Sequence, residues 1–271
     1  MTENFWEGYI RPACVFGNLY FVGTRPASTH LIDTGDGLIV IDPGFPEALD
    51  AVLENIRAIG FEPADIRIIL LSHGHYDHAG AAAELSRLTG AKIYIGEGDL
   101  KMVTGEEDTS LSELFGVKFT QCFTPDVLLR DCDRVRLGNT DILCISTPGH
   151  TDGTLSFFFD VTEGESTYRA GMFGGAGTNT LTEEFLLSHG LPYSKREEFL
   201  RSVERLEGER VEIFLGNHVD NNDTIGKLNR RAEGETNAFL APEEWLEFLT
   251  SRRARLKKVM EGDRKNADDN R

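Results

Sequence analysis

Ile68-Ile69-Leu70-Leu71-Ser72-His73-Gly74-His75-Tyr76-Asp77-His78-Ala79-Gly80 is the stretch whose reading decides the fold. Its apolar opening is too short for a helix and rich in β-branched residues, so it reads as a buried strand. Three histidines and one aspartate then fall within six residues. Asp77 begins a helix-like segment, Ala79 to Leu88, which Gly90 closes. The cluster therefore sits on a strand-to-helix loop at the carboxyl end of a strand, where open α/β folds place their ligand sites. Imidazole nitrogens and carboxylate oxygens are ligands for zinc. In a bent loop His73 and His75 can point the same way to share one ion, while Asp77 and His78 face a neighbouring position. The bland alternative is a polar loop of solvated histidines; four ligand-type residues directly behind a buried strand weigh against it.

Upstream of this loop, Val15-Phe16, Leu19 to Gly23, His30 to Ile32 and Leu38 to Ile41 are short apolar runs separated by turns, an antiparallel meander. Asp33-Thr34-Gly35-Asp36-Gly37 is its last turn. The meander ends at Asp42-Pro43-Gly44, where Asp42 is either a turn residue or a hydrogen-bond partner beneath the histidine loop. Leu49, Val52, Leu53, Ile56 and Ile59 recur at helical spacing from Glu47 to Ile59, and Gly60 stops that helix. With a strand over Ile66 to Leu71 the order is β–α–β, as a sheet covered by helices requires.

Downstream, Ala91 to Ile95 is another strand. Residues 97–126 are less regular, with short helices expected around Leu100 and over Leu111–Phe115, an excursion placed to overhang the loop. A second meander begins at Leu128 and continues through Arg134–Leu137, Asp141–Ser146 and Thr154–Phe159. Between the last two stands Thr147-Pro148-Gly149-His150-Thr151-Asp152-Gly153, again a histidine in a glycine-rich turn behind a strand. Thr167–Ala170 is a further strand. Ser194-Lys195-Arg196-Glu197 reads as a capping box opening a helix with Phe199, Leu200, Val203 and Leu206 on one face. Val211 to Leu215 is a strand ending in Gly216-Asn217-His218. A helix starts at Pro242 and is expected to reach about Met260, with Asp263 to Arg271 a charged, frayed tail. The two halves share a rhythm of meander, helix, and strand ending in histidine, which implies two sheets packed face to face with helices outside.

Composition sets the outer bounds. A chain of 271 residues allows one large domain or two small ones. Its 40% hydrophobic and 27% charged content leaves material for a sizeable core. The net charge of -17 speaks for solubility and against nucleic acid or an anionic membrane as partner. No apolar run approaches the roughly 20 residues of a membrane span. Met1-Thr2-Glu3-Asn4-Phe5-Trp6-Glu7 lacks the basic and apolar regions of a signal peptide, so a cytoplasmic protein is expected. Cys14, Cys122, Cys132 and Cys144 contain no Cys-x-x-Cys pair and read as reduced thiols, ahead of a Cys122–Cys132 disulfide.

His73-x-His75-x-Asp77-His78, His150 in its Pro-Gly-His-Thr turn, and His218 after a strand together resemble the metallo-β-lactamase-fold hydrolase superfamily. Asp33-Thr34-Gly35 and Ile41-Asp42-Pro43-Gly44 match that family's amino-terminal signature, and the resemblance covers roughly residues 14–220. It implies an αββα sandwich of two mixed β-sheets, a single domain over 1–262 and the tail over 263–271. Carried over by position, His73, His75 and His150 would hold a first zinc, and Asp77, His78 and His218 a second. Each ion would keep an open position, as catalytic sites do. The implied activity is attack of a metal-bound hydroxide on an ester, lactone, thioester or amide carbonyl of a small-molecule substrate, with Asp77 orienting it and shuttling its proton. Iron or manganese are the other metals such a site accepts.

One departure stands out. Many relatives place a metal-bridging aspartate after the fourth histidine, and here Ala170 occupies the expected place in Arg169-Ala170-Gly171-Met172-Phe173. The ligand set is thus most similar to the β-lactamase subclass with no bridging carboxylate or cysteine. Asp160, the nearest upstream carboxylate, reads as a turn residue outside the site. The alternatives are a β-lactam hydrolase and an iron-dependent redox enzyme of the same fold acting on thiols or dioxygen. Three further residues have two readings each: His30 core or functional, His189 solvated or at the site mouth, and Tyr193 surface or donor to an oxyanion. Asn217 is a turn former or a partner behind His218. The carboxy-terminal helix docks either on its own domain or on a second copy in a homodimer.

Overall fold

The computed structural model describes residues 8–269, with side chains through Arg264, so the amino-terminal stretch read as lacking an export signal lies outside the described residues. Seven strands form the first sheet in simple sequence order: β1 (Ala13–Phe16), β2 (Leu19–Phe21), β3 (His30–Asp33), β4 (Leu38–Ile41), β5 (Ile66–Leu70), β6 (Lys92–Gly96) and β7 (Val127–Leu129). The first four are antiparallel neighbours, and from β4 to β7 the pairing is parallel. The switch is dictated by connection length: a tight turn joins β3 to β4, whereas helix α1 (Leu49–Ala58) crosses from β4 to β5.

The second sheet has five strands in the order β12-β11-β10-β9-β8. These are β8 (Arg134–Leu137), β9 (Thr140–Ser146), β10 (Leu155–Glu163), β11 (Ser166–Met172) and β12 (Ile213–Leu215), antiparallel except for the β11–β12 pair. The segment around Leu128 therefore closes the first sheet rather than opening the second meander. So short a strand carries no pattern that selects one sheet over the other, and pairing with β6 decides it.

Alternation of side chains builds three apolar layers. Ile39, Ile41, Ile68 and Leu70 point inward and meet Phe157, Phe159 and Met172 between the sheets. Leu38, Val40, Ile69 and Leu71 point outward beneath α1 and α3 (Ala82–Thr89). Phe158 faces the other outer layer, under α6 (Ser194–Leu206) and α8 (Pro242–Asp269), with Phe199, Val203, Trp245 and Leu249. Strands apolar on both faces are what a sheet covered on both faces requires. Two mixed β-sheets with helices on the outer faces are the αββα arrangement expected above.

Several boundaries differ from the sequence expectation. Two short helices, α2 (Tyr76–Ala79) and α3, replace one continuous helix after the histidine loop, and Gly90 closes α3 in the left-handed conformation. Tyr193, not Ser194, is the cap of α6 and no side chain caps it, so the capping box is not formed. The strand expected to stop at Ala170 continues to Met172, which leaves Ala170 paired with Phe159 and Ile213 inside the core. Asp160 likewise is no turn residue but lies within β10, bound to Arg169. The helix α7 (Thr224–Ala232) carries no expectation at all. α8 docks on its own chain, its Trp245 Nε1–H donating to Leu206 O at 3.1 Å. It runs past Met260 because Asp263 finds a partner there: its carboxylate accepts from Arg196 and from the Glu183 amide. All four cysteines are free thiols.

Candidate metal centre

Three strand exits deliver the histidines: β5 leads to His73, His75 and His78, β9 to His150, and β12 to His218. The rings of His73, His75 and His150 pack at centroid distances of 4.6, 4.9 and 4.6 Å. One donor atom from each lies within 4.8 Å of the others. His73 also borders the next group, its ring 4.3 Å from that of His78. There, His78 Nε2 and His218 Nε2 are 3.3 Å apart, and Asp77 Oδ2 lies 3.4 and 3.6 Å from them. All six residues singled out in the sequence are thus brought into two adjoining triads.

Hydrogen bonds on the far side of each ring aim the near side. His78 Nδ1 meets Asp42 Oδ2 at 3.0 Å, His150 Nδ1 meets Gly177 O at 3.0 Å, and His218 Nδ1 meets Pro26 O at 2.8 Å. A ring that donates from Nδ1 to an oxygen keeps its lone pair on Nε2. His73 Nδ1 is 3.0 Å from Ser72 Oγ, whose proton goes to Asp42 Oδ2 at 2.6 Å, so the hydroxyl accepts from the imidazole. The remaining atom, His73 Nε2, is buried with no partner among the described residues.

Asp42 is the second-layer partner that the sequence left as one of two readings. Its carboxylate takes the Ser72 amide at 2.7 Å, the Ser72 hydroxyl and His78. Its backbone is in the left-handed region, φ 51°, unusual for a residue other than glycine. Such a conformation persists where surrounding contacts over-determine it. A second buried carboxylate, Asp99, went unrecognised in the residues 97–126 excursion. It accepts from Gly74 N at 2.8 Å, Gly153 N at 2.7 Å and Thr151 Oγ1 at 2.8 Å, and so ties the His73–His75 loop to the His150 turn. That turn also needs Gly149: at φ 131° and with Phe199 backbone 2.6 Å from any added Cβ, no other residue fits without strain.

Electrostatics separate the imidazoles. Burial pushes His73 and His75 well below the ordinary value, with neighbouring imidazoles adding to it. Burial is also the main reason His150 falls to about 4. His78 feels the same burial, but Asp77 and Asp42 outweigh it and hold it above the ordinary value. Burial pushes the Asp99 carboxyl up to about 6 despite its three hydrogen bonds.

A cavity opens over the His75/His150 side, with Met102, Phe185 and Leu191 as apolar wall and Lys195 and Glu107 at its polar rim. Lys195 is held by Asp152 and, at 2.8 Å, by Glu198. The other candidates resolve plainly. His30 is buried, its Nε2 3.1 Å from Gly216 O, a packing residue behind the His218 turn. His189 stacks on Phe185 at 3.9 Å, behind the cavity wall rather than in it. Tyr193 gives its hydroxyl to Glu183 at 2.5 Å and does not line the cavity. Asn217 is buried and donates to Gly174 O at 2.7 Å, which fixes the turn before His218. The chain leaving β11 meets His150 through Gly175, Gly177 and Thr180, and none of these carries a carboxylate.

Comparison with known proteins places this geometry. The crystal structure of BJP-1, a subclass B3 metallo-beta-lactamase of Bradyrhizobium japonicum, superimposes with a TM-score of 0.88 at 26% identity, over 97% of this chain and 98% of that one. Native FEZ-1 metallo-beta-lactamase from Legionella gormanii gives 0.85 at 28% identity, over 94% and 97%. Among curated sequences, the probable metallo-hydrolase YflN of Bacillus subtilis is 28% identical over 156 residues, 53% of this chain and 56% of that protein. An uncharacterized protein of Mycobacterium tuberculosis, Rv2581c, is 28% identical over 229 residues, 82% and 92%. The chain spans about half the length of the first of these curated relatives. The family model described as the metallo-beta-lactamase superfamily matches residues 22–164, more than half of the chain, and the protein belongs to that superfamily.

Proposed function

We propose that this protein is a dinuclear zinc hydrolase acting on the carbonyl of an ester, lactone, thioester or amide. The observation that carries the reading is the donor geometry. Donors at 2.0–2.2 Å around a tetrahedral ion are roughly 3.3–3.6 Å apart. The Asp77/His78/His218 spacings of 3.4, 3.3 and 3.6 Å match that edge length. The unpartnered, buried His73 Nε2 is the corresponding signal in the other triad, since an orphaned buried nitrogen is costly unless something binds it. His73, His75 and His150 would hold one ion, and Asp77, His78 and His218 the other. Divalent cations held there supply a Lewis acid for the carbonyl and make water nucleophilic near neutral pH.

The rest of the chemistry belongs to side chains. Asp77 Oδ2 faces both imidazoles of its triad, and its carboxylate orients the attacking water and accepts the proton that water releases. Asp42 and Ser72 keep His73 and His78 in the tautomer that leaves Nε2 free. Met102, Phe185 and Leu191 shed water from the substrate's apolar part.

β-Lactam hydrolysis is the second reading, favoured by the solved structures named above. The deciding experiment loads the protein with zinc, counts the metal, and screens nitrocefin, lactones, thioesters and a phosphodiester with and without chelator. About two zinc per chain with chelator-sensitive carbonyl hydrolysis supports the proposal. Iron with visible absorbance, or metal without turnover of any carbonyl substrate, overturns it.

A further inference from the structure

A second cleft lies on the other side of the centre, and apart from His218 none of its lining residues takes part in the hydrolytic chemistry. Arg25, from the loop after β2, and Arg252 and Arg255, from α8, line it. None of the three is ion-paired among the described residues. Arg252 donates only to Ser251 Oγ at 3.1 Å and lies over the Phe248 ring at 4.8 Å. The adjacent Arg253 is different: it points away and holds Glu207 at 2.7 Å. Arg252 and Arg255 are three apart on one helix, so they share a face and repel. The depressed pKa of Arg252, from burial and from Arg255, records that strain, and Asp220 offsets it only in part.

A chain with a net charge of -17 thus gathers in one cleft three guanidiniums with no ion pair among the described residues. Asp220 is the one carboxylate among the cleft's lining residues; on the adjoining surface Arg252 and Arg255 also stand beside Asp223 and Glu244, which pair with Arg230 and Lys227, and beside Glu247. The cavity on the His75 side offers no equivalent, because Asp152 and Glu198 already neutralise Lys195. Guanidinium forks match the oxygens of phosphate, and three of them around one cleft match a dianion better than a single carboxylate.

We propose that the cleft formed by Arg25, Arg252 and Arg255 binds a dianionic, phosphate-type group carried by the substrate, beside the Asp77/His78/His218 triad. The substrate is then two-ended, with its phosphate on the arginines and its apolar part against Met102, Phe185 and Leu191. This assignment of the substrate's end rests on the hydrolase reading; the anion site itself does not.

The test has two arms on the full chain. In the first, inorganic phosphate is titrated calorimetrically into metal-stripped protein at low salt, so that no cation competes for it. Saturable binding is expected, weakened at least about tenfold in R252Q/R255Q and in R25Q, and unchanged in the surface control R57Q. The R252K variant, which keeps charge but not the fork, should fall between, and circular dichroism checks that each variant is folded. Absent binding, or equal binding in R252Q/R255Q, overturns the site. In the second arm, zinc-loaded protein is given matched thioesters with and without a phosphate. A preference for the phosphorylated one that R252Q/R255Q abolishes supports the proposal. Phosphate binding without that preference marks a site for free phosphate and overturns the substrate assignment. Hydrolysis of the neutral thioester with no phosphate binding sinks the cleft and leaves the hydrolase standing. Phosphate binding with no turnover of either thioester sinks the hydrolase and leaves the cleft.

Discussion

The two triads share one wall and differ in almost everything else. His73 and His75 are 1% and 3% exposed, walled in by Asp99, Met102 and the His150 turn. His218 is 36% exposed at its side chain and lines the arginine cleft, and Asp77 is 15% exposed. The closed triad is all imidazole and is kept neutral by burial. The open one includes a carboxylate that, together with Asp42, outweighs burial at His78. One half of the centre is thus the more buried, meeting the apolar cavity through His75 and His150, and the other the more exposed, meeting the arginine cleft through His218.

The largest effect should separate the halves directly. His73→Ala removes a donor bordering both triads, so metal content should fall below one ion per chain and kcat/KM by at least about a thousandfold. His218→Ala opens only the exposed triad and should retain about one ion, read by elemental analysis. Two ions and full activity in His73→Ala would break the comparison. Asp42→Asn should weaken metal binding about 10–100-fold, because Asp42 aims both Ser72 and His78. Chelator titration reads it, and an effect confined to one ion would show that the two halves are held separately. Gly149→Ala forces an unfavourable φ against Phe199 and should cost about 1–3 kcal/mol, measured by denaturant unfolding.

Acid should act chiefly on the closed triad. In metal-stripped protein His150 holds its proton only below about 4, whereas unfolded chain holds it up to the ordinary 6.5. Between those values the unfolded state binds more protons, so stability rises with pH. His73 and His75 add in the same direction. Asp99 opposes them: its native carboxyl keeps a proton up to about 6, against 3.8 ordinarily, so its contribution falls as pH rises. His78, held above its ordinary value by Asp77 and Asp42, contributes stability that is in place below that value and is lost only at higher pH, outside this window. Three groups outweigh one, and Asp99→Asn should steepen the rise, measured by denaturation midpoints across the window. The smallest effect is Tyr193→Phe, whose hydroxyl serves Glu183 at the surface; kcat/KM should stay within about twofold.

The strand exits were legible because each couples a local apolar run to a nearby histidine: Ile69 to His73, Ile145 to His150, Phe214 to His218. Burial of the strand fixes where the next few residues must stand. Partners from distant segments had no such local signal. Asp99 sits in an irregular stretch, and only the fold brings it to Gly74 and Gly153. Arg252 and Arg255 carry no signal in the sequence, and their missing ion pairs show only once the cleft is assembled. Ser194-Lys195-Arg196-Glu197 misled in the other direction, since a local pattern yields when the preceding loop brings Tyr193 into the cap position.

Arg196 has a meaning for anyone shortening this protein. It is buried, donates to Leu181 O at 2.8 Å, and takes Asp263 near the far end of α8. Leu181 and the Glu183 amide introduce α5 (Glu183–Ser188), which carries Phe185 into the cavity wall. Trimming the charged terminus at residue 262 to ease crystallisation would strand a buried guanidinium and loosen that wall from behind. Such a protein would keep its six ligand-type side chains, yet present a cavity of a different shape above them.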